Sequence, residues 1–545
     1  RRNHQATFSL LRLIQSAARR SAVTVSRLPG LTGWARRGAA FGAGVAAALA
    51  FAPFNLIPLM AVGFSALILL LDGVAAGDRP LRAAFAVGWF FGAGYFLVSV
   101  YWMMFSFFVQ AEQFAWMAPF ALFGMPAFLA LFSAGACVAA MRFWSAGPAR
   151  GAAFVAAWCV VEYARGHVLT GLPWNLAGQA FAVHDALLQP AAWVGVYGLT
   201  ALAVALAVAP AVAPRARFGV GAALAGLAAF GLIGAVRLAV VDPGVRDDIR
   251  VRIVQPNIPQ REKIDPALWW PRFDKHLALS APAAPLADGE RFVVVWPENA
   301  APLIDETPQA LARLGAALPT GATLVTGGVR RDPDGVRFYN AVAVLQRRAE
   351  GVVASGFYDK HHLVPFGEYL PLGGLLRAIG LAQLAPYESG FTPGAGPRTL
   401  RTGGAPPFAP LICYETIFAG RVHPKDDRPE WLVTVTNDAW YGDSAGPRQH
   451  LDQARLRSVE TGLPMARSAN TGISALIDAR GRVLQRIALY NDGAIEAPLP
   501  AAAGPTLYGR FGDWAFFAMT AAFAFWGIGA RTASQNPSDS AASPR

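Results

Sequence analysis

The feature that most limits how this chain can fold is the stretch from Gly38 to Val241, which is apolar almost throughout and broken only by short polar or Pro/Gly punctuation. A bilayer core takes roughly 20 apolar residues per helix. The stretch divides into about seven such spans, at roughly 38–53, 55–71, 83–108, 114–141, 151–166, 189–213 and 217–241, and an eighth follows at 513–530. Pro53 and Pro58 interrupt the first two, which are also the shortest. The expected architecture is a membrane α-helical bundle of about eight spans with a polar region inserted before the last one.

With 54% hydrophobic and 15% charged residues the chain is not an ordinary soluble protein. Its net charge of +12 follows a topological pattern. Arginines precede the first span (Arg19, Arg20, Arg27, Arg36, Arg37) and recur after the second (Arg79, Arg82), the fourth (Arg142, Arg150), the sixth (Arg215, Arg217) and the eighth (Arg531). The loops after the first and third spans carry none, and Arg165 is the one exception. Positive charge on alternate loops predicts both termini in the cytoplasm and residues 242–512 on the far side, periplasmic for a bacterial inner-membrane protein. Nucleic-acid binding is set aside, because the charges flank spans instead of forming one face. Residues 1–37 read as a basic cytoplasmic segment, too short and interrupted in its apolar core for a cleaved signal peptide. The Ser-rich tail 531–545 reads as disordered.

Residues 242–512 have the text of a soluble domain large enough for its own core. Strand-like Val/Ile-rich runs occur at 251–256, 292–297, 323–328, 339–345, 410–413, 432–437 and 475–478, and amphipathic helices are expected at about 266–281, 307–318 and 446–462. Such alternation argues for a layered α/β fold.

Three of these runs end in residues capable of chemistry, which is where α/β folds display reactive groups. Val295-Trp-Pro-Glu-Asn299 presents Glu298. Tyr358-Asp-Lys-His-His362 presents Lys360 and is followed by Pro365-Phe-Gly-Glu-Tyr369 with Glu368. Leu411-Ile-Cys-Tyr-Glu415 presents Cys413. Cys413 is the one cysteine of the polar region; Cys137 and Cys159 lie in apolar stretches. In an oxidising compartment it therefore has no disulfide partner there, which leaves an accidental or a reactive thiol. A thiol nucleophile needs a base, a desolvated carboxylate can serve, and a lysine can stabilise a tetrahedral oxyanion. Taken singly, Glu298 equally suits a helix cap, Lys360 a surface lysine and Cys413 a small buried apolar residue.

In this order and with these neighbours, Glu298, Lys360 and Cys413 resemble the Glu–Lys–Cys triad of the nitrilase (carbon–nitrogen hydrolase) superfamily, whose fold is an αββα sandwich. The flanking spans, with Val254-Gln-Pro-Asn-Ile-Pro-Gln260, Lys360-His-His-Leu-Val-Pro-Phe-Gly-Glu-Tyr-Leu-Pro371 and Asn437-Asp-Ala-Trp-Tyr-Gly-Asp443, narrow the resemblance to the bacterial apolipoprotein N-acyltransferase family, over residues 38 to 530. The resemblance implies a two-step transfer without a cofactor. Cys413 takes an acyl chain from a phospholipid as a thioester, and the α-amino group of a diacylglyceryl-cysteine at a lipoprotein N-terminus then takes it from Cys413. It implies that Glu298 is the base, that Lys360 and a backbone N–H near Tyr414 hold the oxyanion, and that Glu368 and Glu415 orient Lys360; a salt bridge alone is the other reading of Glu415. Trp296, Tyr414, Trp440 and Tyr441 are candidates to keep water from the thioester, or ordinary core residues. One departure is that Lys263 is followed by Ile264 where the family often has a lysine–tryptophan pair. Gly171-Leu-Pro-Trp-Asn175 resembles a family loop between spans, expected to touch acyl chains and not to be catalytic.

Competing readings are weaker. Gly442-Asp-Ser-Ala-Gly446 matches a G-x-S-x-G elbow, but His450 is the one histidine downstream and stands about a helical turn away, so the segment is expected to be a loop capping helix 446–462. His361 and His362 are adjacent and point apart, and no spaced set joins them as metal ligands. The alternative of another class is a membrane-anchored nitrilase-type amidase, which would give the acyl group to water; a third, a binding scaffold without activity, sits badly with an intact triad.

Overall fold

The computed structural model describes residues 27–263, 265–371 and 390–535. Most of the basic N-terminal segment and of the Ser-rich tail lies outside the described residues, as does Ile264. The apolar stretches before residue 242 form helices α1 (Gly33–Ala48), α2 (Ile57–Ala75), α3 (Pro80–Val100), α4 (Met125–Arg142), α5 (Ala149–Arg165), α6 (Ala191–Val212) and α7 (Ala216–Val240). α3 and α4 approach closely because Gly88 lacks a side chain; a Cβ there would stand 2.7 Å from the Ser133 carbonyl oxygen.

Each expected span is helical, but the number long and apolar enough to cross a membrane is five among the described residues: Ile57–Ala75, Pro80–Phe108, Ala111–Arg142, Ala191–Val212 and Ala216–Val240. The count differs from the expected eight. α1 and α5 have 16 and 17 residues, short of the roughly 20 that a bilayer core asks. Arg165, the exception to the charge pattern, is not a loop charge. It is buried at the end of α5, where its guanidinium donates to Glu162 Oε1 at 2.9 and 3.0 Å and to the Trp174 carbonyl at 2.9 Å.

The polar region builds two sheets. The first contains β1 (Val245–Gln255), β2 (Arg291–Val295), β3 (Thr323–Arg331), β4 (Phe338–Arg348), β5 (Gly351–Asp359) and, at its other edge, β11 (Gly493–Pro500), in the order β11-β1-β2-β3-β4-β5. The second is β10-β9-β8-β7-β6, with β6 at Phe408–Ile412, β7 at Trp431–Thr436, β8 at Met465–Ala469, β9 at Ser474–Ile477 and β10 at Val483–Ile487. Side chains alternate between faces along each strand, and the alternation defines the layers. Val293 and Val295 of β2 meet Phe408, Ile412, Trp431 and Val433 in a core between the sheets. Phe292 and Val294 face the other way, onto helices α8 (Trp269–Ala278) and α9 (Pro308–Ala317) through Phe273, Ala310 and Leu314. On the far side α10 (Ala445–Thr461) lays Leu451 and Ala454 on Leu432, Met465 and Ala475. The result is the expected αββα sandwich. The last helix, α11 (Trp514–Gln535), returns to the bundle, with Phe516 in the bundle core.

Sandwich and bundle share α10. Its Leu456 and Val459 are buried in the same cluster as the membrane helices. Trp174 Nε1 donates to Gln449 Oε1 at 2.7 Å, and Gln449 Nε2 donates to the Ala52 carbonyl at 3.0 Å. α6 is broken at Gly195 (φ +65°), and the Val196 N–H donates to Glu460 Oε1 at 2.9 Å. Trp174→Ala removes a fully buried indole and leaves Gln449 Oε1 without its donor. It is expected to cost about 3–5 kcal/mol, read as a lowered melting midpoint of the detergent-solubilised protein; an unchanged midpoint would contradict the clamp.

Candidate active site

Glu298 lies three residues past the end of β2, Lys360 directly after β5 and Cys413 directly after β6. β2 and β3 are parallel and the pairs β3–β4 and β4–β5 are antiparallel, so β2 and β5 end at one edge of their sheet. The turn after β2 crosses β3 at Gly327. The Ala300 N–H donates to the Gly327 carbonyl at 2.9 Å, and a Cβ on Gly327 would stand 2.5 Å from Glu298 Cα. Only glycine lets the turn sit there.

Lys360 is 1% exposed. Its Nζ lies 2.9 Å from both carboxylate oxygens of Glu368 and 3.7 Å from Glu298 Oε1. Asn340 of β4 joins the two acids, with Nδ2 donating to Glu298 Oε1 at 2.8 Å and to Glu368 Oε1 at 2.6 Å. The Val364 N–H donates to Glu368 Oε2 at 2.7 Å. Burial works against the lysine's charge, but Glu368 and then Glu298 outweigh it and hold Lys360 above its ordinary range. For Glu298 burial raises the carboxyl, Lys360 opposes and Glu368 adds to the rise, so it sits above the usual glutamate range. That is the direction a general base working near neutrality needs.

Cys413 takes a left-handed backbone, with φ +48°. For a residue with a side chain this costs of order 1–3 kcal/mol, so the surroundings must enforce it. Glu415 supplies part of the enforcement. Its Oε2 accepts the Ile412 N–H at 2.8 Å, while Oε1 accepts the Tyr358 hydroxyl at 2.8 Å and the N–H groups of His361 and His362 at 2.8 and 3.2 Å. One carboxylate thus ties the Cys413 turn to the segment carrying Lys360. It lies beyond Lys360's contacts, so the expected orienting of Lys360 acts through the backbone here, whereas Glu368 touches the ammonium directly. The Tyr414 hydroxyl donates to the Gly171 carbonyl of the bundle at 2.7 Å. Burial pushes the Cys413 thiol up to about 12, Glu298 pushes the same way and Lys360 opposes. Cys413 therefore rests protonated.

The candidates for water exclusion divide. Tyr441 is partly buried near Cys413, with its ring 4.4 Å from that of Trp102. Tyr414 lies at the bundle contact. Trp440 is 37% exposed, its carbonyl accepting from Ser106 Oγ. Trp296 is elsewhere, in the core under α8, where its Nε1 donates to Ser280 Oγ at 2.7 Å. Trp174 is buried against Trp102. Ser444 caps α10, its Oγ accepting the Gly446 N–H at 3.1 Å and donating to the Tyr441 carbonyl. Among the described residues no group of three or more His, Cys, Asp or Glu is arranged to hold a metal ion.

Two residues beside the site were not named for it from the sequence. Asn340 is a lone amide in an apolar strand, a signal that stands out once the strand is known to be buried. Lys263 is half-buried and donates to the Glu298 backbone carbonyl, and burial lowers it to about 8 against the pull of Glu298. The segment that carries Lys263 thus reaches the Glu298 turn.

Residues 43–209 match the apolipoprotein N-acyltransferase N-terminal domain, and residues 250–505 match the carbon-nitrogen hydrolase family. The chain is 40% identical over 498 residues to the apolipoprotein N-acyltransferase of Rhodopseudomonas palustris, covering 88% of this chain and 92% of that one. It is 41% identical over 522 residues to that of Bradyrhizobium diazoefficiens, covering 93% and 97%. The chain belongs to the apolipoprotein N-acyltransferase family. Glu298, Lys360 and Cys413 all fall within the carbon-nitrogen hydrolase match. Gly171 and Trp174, which meet Tyr414 and Gln449, fall within the apolipoprotein N-acyltransferase N-terminal match, so the contact between the two matched regions lies beside the thiol.

Glu415 gives this site a pH signature. Burial raises its carboxyl, but the hydrogen bond and charge of His361 and the Ile412 N–H outweigh burial and hold it below the ordinary range. A depressed folded-state pKa stabilises above the unfolded value and is lost as pH falls through the folded one. Glu415→Gln is therefore expected to melt lower than wild type at neutral pH and to close that gap at acid pH. Melting curves across pH check this; a gap independent of pH contradicts it.

Proposed function

We propose that this chain is an apolipoprotein N-acyltransferase of a bacterial inner membrane, with the sandwich periplasmic and both termini cytoplasmic. A phospholipid is the acyl donor and the N-terminal diacylglyceryl-cysteine of a lipoprotein the acceptor. Glu298 accepts the Cys413 proton as sulfur attacks the ester carbonyl. Lys360 and the Tyr414 N–H receive the oxyanion. The lysophospholipid leaves as the alcohol, taking the proton from Glu298, and a thioester remains on Cys413. The lipoprotein amine attacks that thioester, Glu298 takes a proton from the nitrogen, and the thiol leaves as an amide forms. Glu368 and Glu415 keep Lys360 and the Cys413 turn in register, and the arginine-rich loops set the orientation.

One observation carries the reading. The base, ammonium and thiol stand beside a contact between sandwich and membrane helices, made by the Tyr414 hydroxyl on the Gly171 carbonyl. A site at that seam receives two lipid substrates without drawing either into water, and a buried thioester is kept for the amine. A membrane-anchored amidase would need no such seam.

The test is to incubate the purified protein in detergent with phospholipid and to weigh it. A hydroxylamine-labile acyl mass on Cys413, absent from Cys413→Ala and discharged by a diacylglyceryl-cysteine peptide, supports the transferase. Equal discharge by water supports the amidase, and no adduct on a folded, lipid-accessible protein removes both.

A further inference from the structure

The carbonyl of the nucleophile is held by a buried polar cluster with no part in the mechanism above. His450, on α10, is fully buried, and its Nε2 lies 3.2 Å from the Cys413 carbonyl oxygen. Its Nδ1 is 3.1 Å from Arg467 Nη2 and 3.0 Å from Asp438 Oδ1. Arg467 Nη2 also donates to Asp438 Oδ2 at 2.8 Å, and Thr436 Oγ1 donates to Asp438 Oδ1 at 3.0 Å. A carbonyl can only accept, so Nε2 carries the proton that meets it. On the other side of the ring, Nδ1 faces both the Arg467 guanidinium and the Asp438 carboxylate. Burial and then Arg467 outweigh the opposing pull of Asp438 and hold His450 below the ordinary histidine range.

The consequence is geometric. The Cys413–Tyr414 peptide is trans, so its carbonyl and its N–H point in opposite directions. The Tyr414 N–H belongs to the first turn of a short 3-10 helix, Cys413–Ile417, where no carbonyl of the same helix is available to it. We propose that His450 is a positioning residue: by holding the Cys413 carbonyl through Nε2–H it turns the Tyr414 N–H toward the side where the oxyanion develops. This rests on the reading of Tyr414 N–H as an oxyanion donor. Asp438 and Arg467 hold the imidazole in place from its Nδ1 side.

Asparagine and glutamine separate the two ring nitrogens, since the Asn amide reaches about the position of Nδ1 and the Gln amide that of Nε2. His450→Gln keeps a donor to the carbonyl and is expected to acylate Cys413 from phospholipid within about tenfold of wild type in a single turnover. His450→Asn is expected to be about 100-fold slower, the size of a lost oxyanion-hole donor. In both, the dependence on lipid concentration and the rate of Cys413 alkylation by iodoacetamide stay near wild type, because neither lipid binding nor access to the thiol is altered. Equal acylation by the two variants, or acylation and alkylation falling together in both, overturns the role of His450. A wild type that is alkylated but never acylated overturns the proposed function, and this inference with it.

Discussion

Glu298→Gln is expected to slow acylation of Cys413 by about a thousandfold, within the range that a positioned general base contributes, while leaving the protein folded. Glutamine keeps the shape and accepts the Asn340 hydrogen bond, but cannot take a proton from a thiol that burial has pushed up to about 12. The pH dependence is the sharper reading. Wild-type acylation should fall on the acid side as Glu298 becomes protonated. Because burial and Glu368 raise this carboxyl, the fall should be centred above the ordinary glutamate range. The variant should lack that limb. Single-turnover acylation across pH, followed by intact mass, measures both. A limb that persists in Glu298→Gln would assign the base to another group, and half-buried Lys263 is then the first to test.

Lys360→Met carries the second large effect and strikes stability and chemistry together. The ammonium neutralises two buried carboxylates that Asn340 joins. Breaking a buried ion pair from one side costs about 3–5 kcal/mol, because the remaining charge has no partner. Acylation should fall at least a hundredfold with the loss of a charged oxyanion donor. The linkage has a sign. Lys360 is raised in the folded protein, so its contribution is complete below the ordinary lysine range and is lost as pH rises through the folded value. In the variant the unpaired acids protonate as pH falls, so its melting deficit should shrink in mild acid. A deficit that is constant with pH would mean that Lys360 supports the fold by packing alone.

The triad was legible because each member sits in a motif that follows a Val/Ile-rich strand. The supporting acids were legible for the same reason, as neighbours in those motifs. Asn340 and the Asp438, His450 and Arg467 cluster were not, because their partners are distant in sequence; Asn340 is a single amide in apolar text, and the other three stand among polar neighbours that do not show which of them meet. The strands behave alike. β2, β3 and β7 announce themselves through apolar runs, whereas β8 carries Arg467 and Ser468 at its centre and reads as loop. Those residues are polar because they serve the site: Arg467 reaches Asp438, and Ser468 Oγ donates to the Val254 carbonyl at 2.7 Å. β11 contains Pro498 and Pro500, which an edge strand tolerates, and β5 is interrupted by Gly356. The ends of the spans were not legible, because apolar composition is visible in a sequence, whereas where a helix starts and stops is set by turns such as the one at Leu49–Asn55.

α10 is a party wall. One face closes the sandwich through Leu451 and Ala454, the other closes the bundle through Leu456 and Val459, and Gln449 is pinned from the membrane side by Trp174 and Ala52. A wall shared in this way leaves no plane along which the two halves can be parted with both surfaces sealed. Cutting the sandwich free would not yield a water-soluble hydrolase but a domain with an open greasy flank next to its reactive sulfur. The membrane therefore belongs to the folding problem of the catalytic half, and the two halves stand or melt together.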